Sequence, residues 1–132
     1  MDHRIALKSN TPLRLCNDRG EAIHCVIESE IGRGGSCIVY EAARITDTGD
    51  KTLYRVKEFY PYKLNISRDE NNSLTPSAHD AEAFNQRQDQ FRSDFSRTNQ
   101  LFYSDTNYSS ITNQLDVFGQ NGTSYILSAY SS

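Results

Sequence analysis

Apolar and polar positions alternate along the first sixty residues in the manner of β-strands. A short alternating stretch covers residues 13–16, and a longer run begins at 22 and continues to Ile31. Residues 37–45 and 51–60 repeat the pattern, and the second of these is rich in aromatic and β-branched side chains. Runs of this kind, separated by polar turns that contain Gly and Asp, predict strands joined by hairpins.

The pattern changes after residue 62. Residues 63–76 are polar without a period, which predicts a mobile loop. Ser77 can cap a helix, with Asp80 three residues later, and no Gly or Pro interrupts the stretch that follows. One face of that helix is marked by phenylalanines at spacings of 7, 4 and 7, namely Phe84, Phe91, Phe95 and Phe102. We therefore predict a helix over 77–103.

Two last strands are predicted over 113–129, joined at Asn121-Gly122, because Asn-Gly is the strongest short hairpin signal. The predicted fold class is α+β. It consists of a five-stranded antiparallel sheet with one long flanking helix, preceded by an extra N-terminal strand or hairpin within residues 1–22.

Composition narrows the functional classes. The chain has 132 residues, a net charge of −3, three cysteines and 36% hydrophobic residues. A general nucleic-acid-binding protein would carry a basic patch instead. No apolar run approaches the roughly 20 residues of a membrane helix, and residues 1–7 lack the apolar core of a signal peptide. We expect a cytoplasmic protein with reduced cysteines and no bound metal. Its low hydrophobic content predicts a partner surface, either further sequence or a second copy of the chain.

The glycine-rich loop, residues 32–39, is the first candidate for chemistry. Glycines let backbone N–H groups approach phosphate oxygens, because no Cβ intervenes, although a flexible hairpin turn has the same composition. A strand follows these glycines, whereas a dinucleotide-binding fold would place a helix there. The order resembles the G-x-G-x-x-G-x-V loop of protein kinases, in which Gly32, Gly34 and Val39 match, Gly35 adds a further glycine, and Cys37 replaces the third.

The second candidate is Lys57, which lies in the otherwise apolar and aromatic strand 51–60. Val56-Lys57 is similar to the end of the V-A-I-K motif that kinases use to hold ATP phosphates, but Arg55 stands at the Ala position. Side chains alternate across a strand, so Arg55 and Lys57 share a face. The resemblance implies that a guanidinium there either obstructs adenine or turns toward a phosphate or an acid.

The helix offers acids that could pair with Lys57, as a helix Glu does in kinases. Asp94 borders the phenylalanine stripe and is our first choice, with Glu82 near the helix start as the alternative, whereas Asp89 faces solvent. The segment from Phe91 to Asp94 resembles the F-x-x-E of bacterial-type Ser/Thr kinases. A solvated carboxylate at the helix edge would look the same.

Residues 121–130 resemble the last strand and hinge of those kinases. By that resemblance Ser128 lies at the back of the adenine pocket, and Ala129 and Tyr130 begin the hinge whose backbone binds adenine. A core strand that ends in a frayed tail would have the same pattern.

Taken together, the resemblance implies that residues 23–132 form the ATP-binding N-terminal lobe of a Ser/Thr-type protein kinase, cut at the hinge. That lobe positions Mg·ATP for transfer to the hydroxyl of a protein substrate. The C-terminal lobe would supply His-Arg-Asp and Asp-Phe-Gly, which the chain lacks, so we expect it to be inactive alone. Two alternatives stay open. One is a kinase-like regulatory or protein-interaction module with weak or no ATP binding, which Arg55, Cys37 and Asp94 favour. The other is an unrelated α+β domain.

Overall fold

The fold is described by a computed structural model that covers residues 2–16, 19–20, 22–45, 48–104 and 114–129. The described elements, in chain order, are β1 (Pro12–Cys16), β2 (Ala22–Arg33), β3 (Cys37–Ile45), β4 (Lys51–Phe59), β5 (Ile66–Arg68), β6 (Leu74–Pro76), α1 (Ala81–Ser104), β7 (Gln114–Gln120) and β8 (Thr123–Ala129). Six strands form a closed antiparallel barrel in the order β1-β2-β3-β4-β8-β7, and β5 pairs with β6 separately.

The closed barrel overturns the predicted open sheet. A five-stranded sheet with a flanking helix, as in a protein-kinase N-terminal lobe, is wrong because β1 joins both outer strands. β1 pairs with β2 along its whole length and meets β7 where Cys16 lies opposite Gly119. The buried side chains of Leu13 and Leu15 give β1 an inward face, so the strand that we expected as an addition completes the core. Closure also pairs backbone edges that would otherwise face water.

The barrel interior is filled by the alternate side chains of each strand. The fully enclosed residues include Leu15, Ile27, Ile38, Tyr40, Val56, Glu58, Phe118, Tyr125 and Leu127. Because the side-chain period of a strand is two, the residues between them point to the outer face of the barrel. The hairpin predicted at Asn121-Gly122 is present, with φ of 52° and 70° at its two central residues.

The segment predicted as a mobile loop is packed against the barrel. Leu64, Ile66 and Leu74 are buried, and the β5–β6 hairpin holds two of them. The Leu74 N–H donates to the Asn121 carbonyl at 2.7 Å, which fastens β6 to the β7–β8 turn. Although this segment is mostly polar, its three large apolar residues are buried and hold it against the barrel.

Helix α1 begins four residues later than predicted, at Ala81. The Asp80 carbonyl accepts the bond from the Phe84 N–H at 2.9 Å, and the Ser77 hydroxyl accepts one from the Asp80 N–H at 3.3 Å. Ser77 thus closes a turn before the helix. Phe84 and Phe91 pack on the outward ring of Phe59, each with a centroid separation of 5.3 Å.

The side chain of Phe102, the last member of the predicted stripe, lies outside the described residues. Among the described residues there is no helix with the length and apolar character needed to cross a membrane.

Candidate functional site

The outer face of β3, β4 and β8 brings together several of the predicted nucleotide-binding residues. Val39 on β3 lies directly opposite Lys57 on β4, and Lys57 lies opposite Ile126 on β8. The neighbours of Lys57 along its strand, Val56 and Glu58, are enclosed in the barrel, so Lys57 points outward. Lys57 is half-buried on the same side of the barrel as helix α1.

Arg55 lies on the same outer face, two residues before Lys57 on β4. In the strand register it is opposite Glu41 on β3 and Ser128 on β8. Arg55 is exposed, and Ser128 is half-buried. The outer face therefore carries two cations, with the acid Glu41 and the hydroxyl of Ser128 in register with Arg55. Alternation along β4 predicted that Arg55 and Lys57 share this face.

The glycine turn, residues 34–36, joins β2 to β3 and is held through its carbonyl groups. The Gly35 carbonyl accepts from the Tyr62 N–H at 2.9 Å, and the Ser36 carbonyl accepts from the Tyr60 N–H at 2.8 Å. Inside the turn, the Gly34 N–H donates to the Cys37 carbonyl at 2.8 Å. Gly32 is the last-but-one residue of β2 and lies opposite Val39. The loop is therefore a tight, anchored hairpin end.

Cys37, at the position of the third glycine, connects the turn electrostatically to Lys57. Burial raises the pKa of its thiol to about 11, while the positive charges of Lys57 and Arg4 act in the opposite direction. Cys37 lies opposite Phe59, two residues along the strands from the pair formed by Val39 and Lys57. Cys37 and Lys57 therefore lie on the same outer face of two adjacent strands.

The candidate acids lie on α1, which packs on this side of the barrel. Asp94 and Glu82 are both exposed, and Asp94 accepts a hydrogen bond from the side-chain amide of Gln90 at 2.8 Å. No ion pair joins Lys57 to another described residue, so a contact between Lys57 and Asp94 would require rearranged side chains. The pairing stays a prediction.

The other contacts of α1 fix its position. The Arg92 Nε donates to the Ser124 hydroxyl at 2.8 Å, and that hydroxyl donates to Gln88 at 2.6 Å. These bonds fasten the middle of α1 to β8. The predicted hinge is only partly described, because Ala129 ends β8, its side chain lies outside the described residues, and Tyr130 lies outside them altogether.

Two buried charged residues near this face, Glu58 and Arg4, were not identified from the sequence. Glu58 follows Lys57 directly but points inward, where it accepts hydrogen bonds from Tyr40 at 2.9 Å and from Tyr125. The alternation of Tyr54 and Val56 with outward residues was the available signal, because it places Glu58 in the interior. A buried carboxylate is costly unless it is hydrogen-bonded, and Tyr40 and Tyr125 supply those bonds to Glu58.

Arg4 was also missed, since the first twelve residues have no strand pattern. It is 6% exposed and reaches the Gly34 carbonyl at 2.8 Å. No sequence signal nearby indicates that contact, because its two ends are 30 residues apart.

A turn of small residues, a lysine on the adjacent outer face and a serine on the strand next to that lysine are compatible with an anionic ligand. No family model, no curated protein and no solved structure matches the chain.

Proposed function

We propose that this chain binds Mg·ATP on the outer face of β3, β4 and β8, as the ATP-holding part of a Ser/Thr-type protein kinase. The observation that carries the proposal is the direct pairing of Val39 with Lys57 next to the glycine turn. Val39 offers an apolar contact for a base, and the Lys57 ammonium offers a charge for the phosphates.

Two physical arguments support this assignment. A glycine turn can present backbone N–H groups to phosphate oxygens, here those of Gly35 and Ser36, because the Gly34 N–H is bonded to the Cys37 carbonyl. An adjacent ammonium adds a point charge of opposite sign. Arg55, on the same face, adds a second cation that can reach a phosphate. The net charge of the chain is −3, and on this face Glu41 lies opposite Arg55, whereas Val39 lies opposite Lys57.

The closed barrel is not the fold expected of a protein-kinase N-terminal lobe, so the proposal is supported by the outer face alone and not by the fold. The residues concerned lie on the outer face, whereas closure by β1 concerns the interior and the edges of β2 and β7. An ATP molecule on this face would not compete with the enclosed core. A C-terminal lobe would transfer the phosphoryl group to a protein hydroxyl. We propose that this lobe and the protein substrate are the binding partners of the chain.

A second candidate function is favoured by Arg55. The guanidinium lies opposite Ser128, where the resemblance to kinases would place a small alanine against adenine. If Arg55 blocks the base, the chain is a kinase-like regulatory or protein-interaction module, for which a second copy of the chain is one partner. For either function we propose the cytoplasm, where the three free cysteines stay reduced.

The test is a titration with Mg·ATP followed by thermal unfolding and by a fluorescent ATP analogue. Under the first proposal the melting temperature rises with ligand concentration as mass action requires. Lys57→Ala abolishes the rise. Lys51→Ala is the matched control, because Lys51 lies on the same strand and the same face at its other end, about 20 Å away. That control binds as the unmodified chain does.

Two outcomes contradict the first proposal. One is an unmodified chain that shows neither a shift nor fluorescence at millimolar Mg·ATP. The other is equal binding by Lys57→Ala and Lys51→Ala. Arg55→Ala separates the two functions, because a gain of binding on removal of the guanidinium shows that Arg55 blocks the base. Inorganic tripolyphosphate, titrated in parallel, reports on the phosphate contacts alone.

A further inference from the structure

The N-terminal segment, residues 2–5, is joined to the glycine turn by the side chain of Arg4. Its Nη1 donates to the carbonyls of Gly34 at 2.8 Å and Tyr60 at 2.9 Å, with a longer contact to the Cys37 carbonyl at 3.4 Å. The Arg4 side chain is 3% exposed. One buried guanidinium therefore links three backbone positions that are distant in sequence.

Arg4 is itself held in place by charge. The Asp2 carboxylate accepts from its Nη2 at 2.6 Å and from its Nε at 3.0 Å. Arg33, at the end of β2, donates to the Arg4 carbonyl at 3.1 Å and lies 3.3 Å from the same carboxylate. Glu30 accepts from Arg33 in turn. Asp2 and Glu30 neutralise the charges of Arg4 and Arg33. We therefore do not assign phosphate binding to Arg4, whose role is to hold the backbone carbonyls that it contacts.

The carbonyl contacts determine how the peptide groups of the turn are oriented. All described peptide bonds are trans, and in a trans peptide the C=O and the following N–H point in opposite directions. Arg4 binds the Gly34 carbonyl, and Tyr62 binds the Gly35 carbonyl. The N–H groups of Gly35 and Ser36 are therefore directed away from these anchors.

We propose that Arg4 is a positioning residue for the glycine turn, so that the N-terminal segment is part of the apparatus that presents the turn's N–H groups to phosphate. This inference rests on the proposed function, since only an anionic ligand gives the oriented N–H groups a use. The contact of Arg4 with the turn involves no ligand atom, so it can be tested separately.

Hydrogen exchange of the unliganded chain is the decisive measurement. The amides of Gly34, Tyr60 and Tyr62 report on opening of the turn, because each is bonded to a carbonyl of the glycine turn or of Cys37. Amides in the middle of β4 report on the barrel. In Arg4→Met and Arg4→Lys we expect the turn amides to exchange about tenfold faster while the β4 amides keep their rates. Lysine keeps the charge but lacks the fork that bridges several acceptors.

A milder variant covers the case in which both substitutions prevent folding. Asp2→Asn changes only an exposed carboxylate that orients Arg4, and we expect it to accelerate the turn amides by a smaller factor. Unchanged turn amides in the folded variants overturn the inference, as does equal acceleration throughout the barrel, which would make Arg4 a general stabilising residue.

Nucleotide binding then separates this inference from the proposed function. If the unmodified chain binds Mg·ATP, Arg4→Lys should weaken binding several-fold without abolishing it, whereas Lys57→Ala abolishes it. If the unmodified chain binds no nucleotide, the proposed function fails, and with it the use that we assign to the turn, even when the exchange rates change as expected. If binding is retained and the turn amides are unaffected, the inference alone fails.

Discussion

The carboxylate of Glu58, enclosed in the barrel, forms an ion pair with the guanidinium of Arg68, which enters from strand β5 outside it. Nη2 of Arg68 lies 2.5 Å from Oε1 of Glu58, and the two side chains are 3% and 0% exposed. Arg68 also donates to the carbonyls of Ile5 at 2.8 Å and Asn72 at 2.9 Å. Burial alone would lower the pKa of Arg68, but the charge and hydrogen bond of Glu58 outweigh it and raise that pKa. The β5–β6 hairpin is thus fastened to the core by a buried pair.

Removing one partner of this pair should be far more harmful than removing both. Arg68→Met leaves the Glu58 charge enclosed and uncompensated, so we expect the free energy of unfolding to fall by about 3–5 kcal/mol. The double variant Glu58→Gln, Arg68→Met should recover a substantial part of that loss, because no buried charge remains. Urea unfolding followed by circular dichroism gives both values.

The exposed pair of Lys51 with Glu28, 2.6 Å apart, is the control for this series. Lys51→Met should change the unfolding midpoint only slightly, since solvent screens the charges. Equal effects of Lys51→Met and Arg68→Met would show that the Glu58–Arg68 pair is not enclosed as described.

The two tyrosines that donate to Glu58 should resist alkali. Burial, followed by the Glu58 charge, raises the pKa of Tyr40 and of Tyr125 well above the usual value near 10. A raised folded-state pKa means that the neutral phenol is favoured by the fold. The stabilisation is therefore complete below about pH 10 and is lost as the pH rises above that value.

Absorbance at 295 nm and circular dichroism, recorded against pH on the same sample, test this expectation. The chain has 8 tyrosines, so two of them should ionise only together with the loss of β-structure. Tyr125→Phe should leave one such residue. Ionisation of all eight near pH 10 with an unchanged dichroism spectrum would contradict the buried network.

Local signals predicted the strands, whereas long-range contacts decided how they close. The β7–β8 hairpin followed from Asn121-Gly122, because that dipeptide adopts the required positive φ values. Closure depends on one opposed pair, Cys16 with Gly119, about a hundred residues apart, and no spacing along the chain indicates it. The prediction therefore contained five strands in a sheet and missed the role of the sixth.

In the candidate site, too, local features were predictable from the sequence and long-range contacts were not. Alternation along β4 correctly placed Arg55 and Lys57 on one face, because strand periodicity is a local property. The partner of Glu58 is ten residues away in a segment whose polar composition predicted a loop. Leu64 and Leu74 in that segment are buried because they contact the barrel. Their spacing in the sequence shows no helical or strand periodicity that would predict this burial.

Gly122 should tolerate no side chain. Its φ is +70°, and an added Cβ would lie 2.5 Å from the carbonyl oxygen of Leu74, a backbone atom that cannot turn aside. We expect Gly122→Ala to lower the free energy of unfolding by about 3 kcal/mol, from backbone strain and displacement of β6 together. Thermal and urea unfolding measure the change.

Gly20 provides the matched comparison, since its φ is +82° and nothing lies within 4 Å of an added Cβ. Gly20→Ala carries the conformational cost alone, about 1 kcal/mol. Equal losses in the two variants would mean that contact with Leu74 contributes nothing.

Cys37 offers a chemical probe of Lys57 that needs no bound nucleotide. Burial raises the pKa of its thiol to about 11, and the Lys57 ammonium partly offsets that rise. Lys57→Met keeps the length of the side chain and removes the charge, so the pKa of Cys37 should rise further. Because the thiolate is the reactive form, alkylation by iodoacetamide at pH 8.5 should slow by about threefold.

Peptide-resolved mass spectrometry distinguishes Cys37 from Cys25, the control, whose pKa burial alone raises to about 11. The rate at Cys25 should be the same in the unmodified chain and in Lys57→Met. Lys57→Arg should restore the rate at Cys37, because it returns a positive charge to the same face. If Cys37 in Lys57→Met reacts as fast as in the unmodified chain, while Cys25 is unchanged, the Lys57 ammonium is too distant to act at the glycine turn. The phosphate contact proposed for Lys57 would then lose its electrostatic basis.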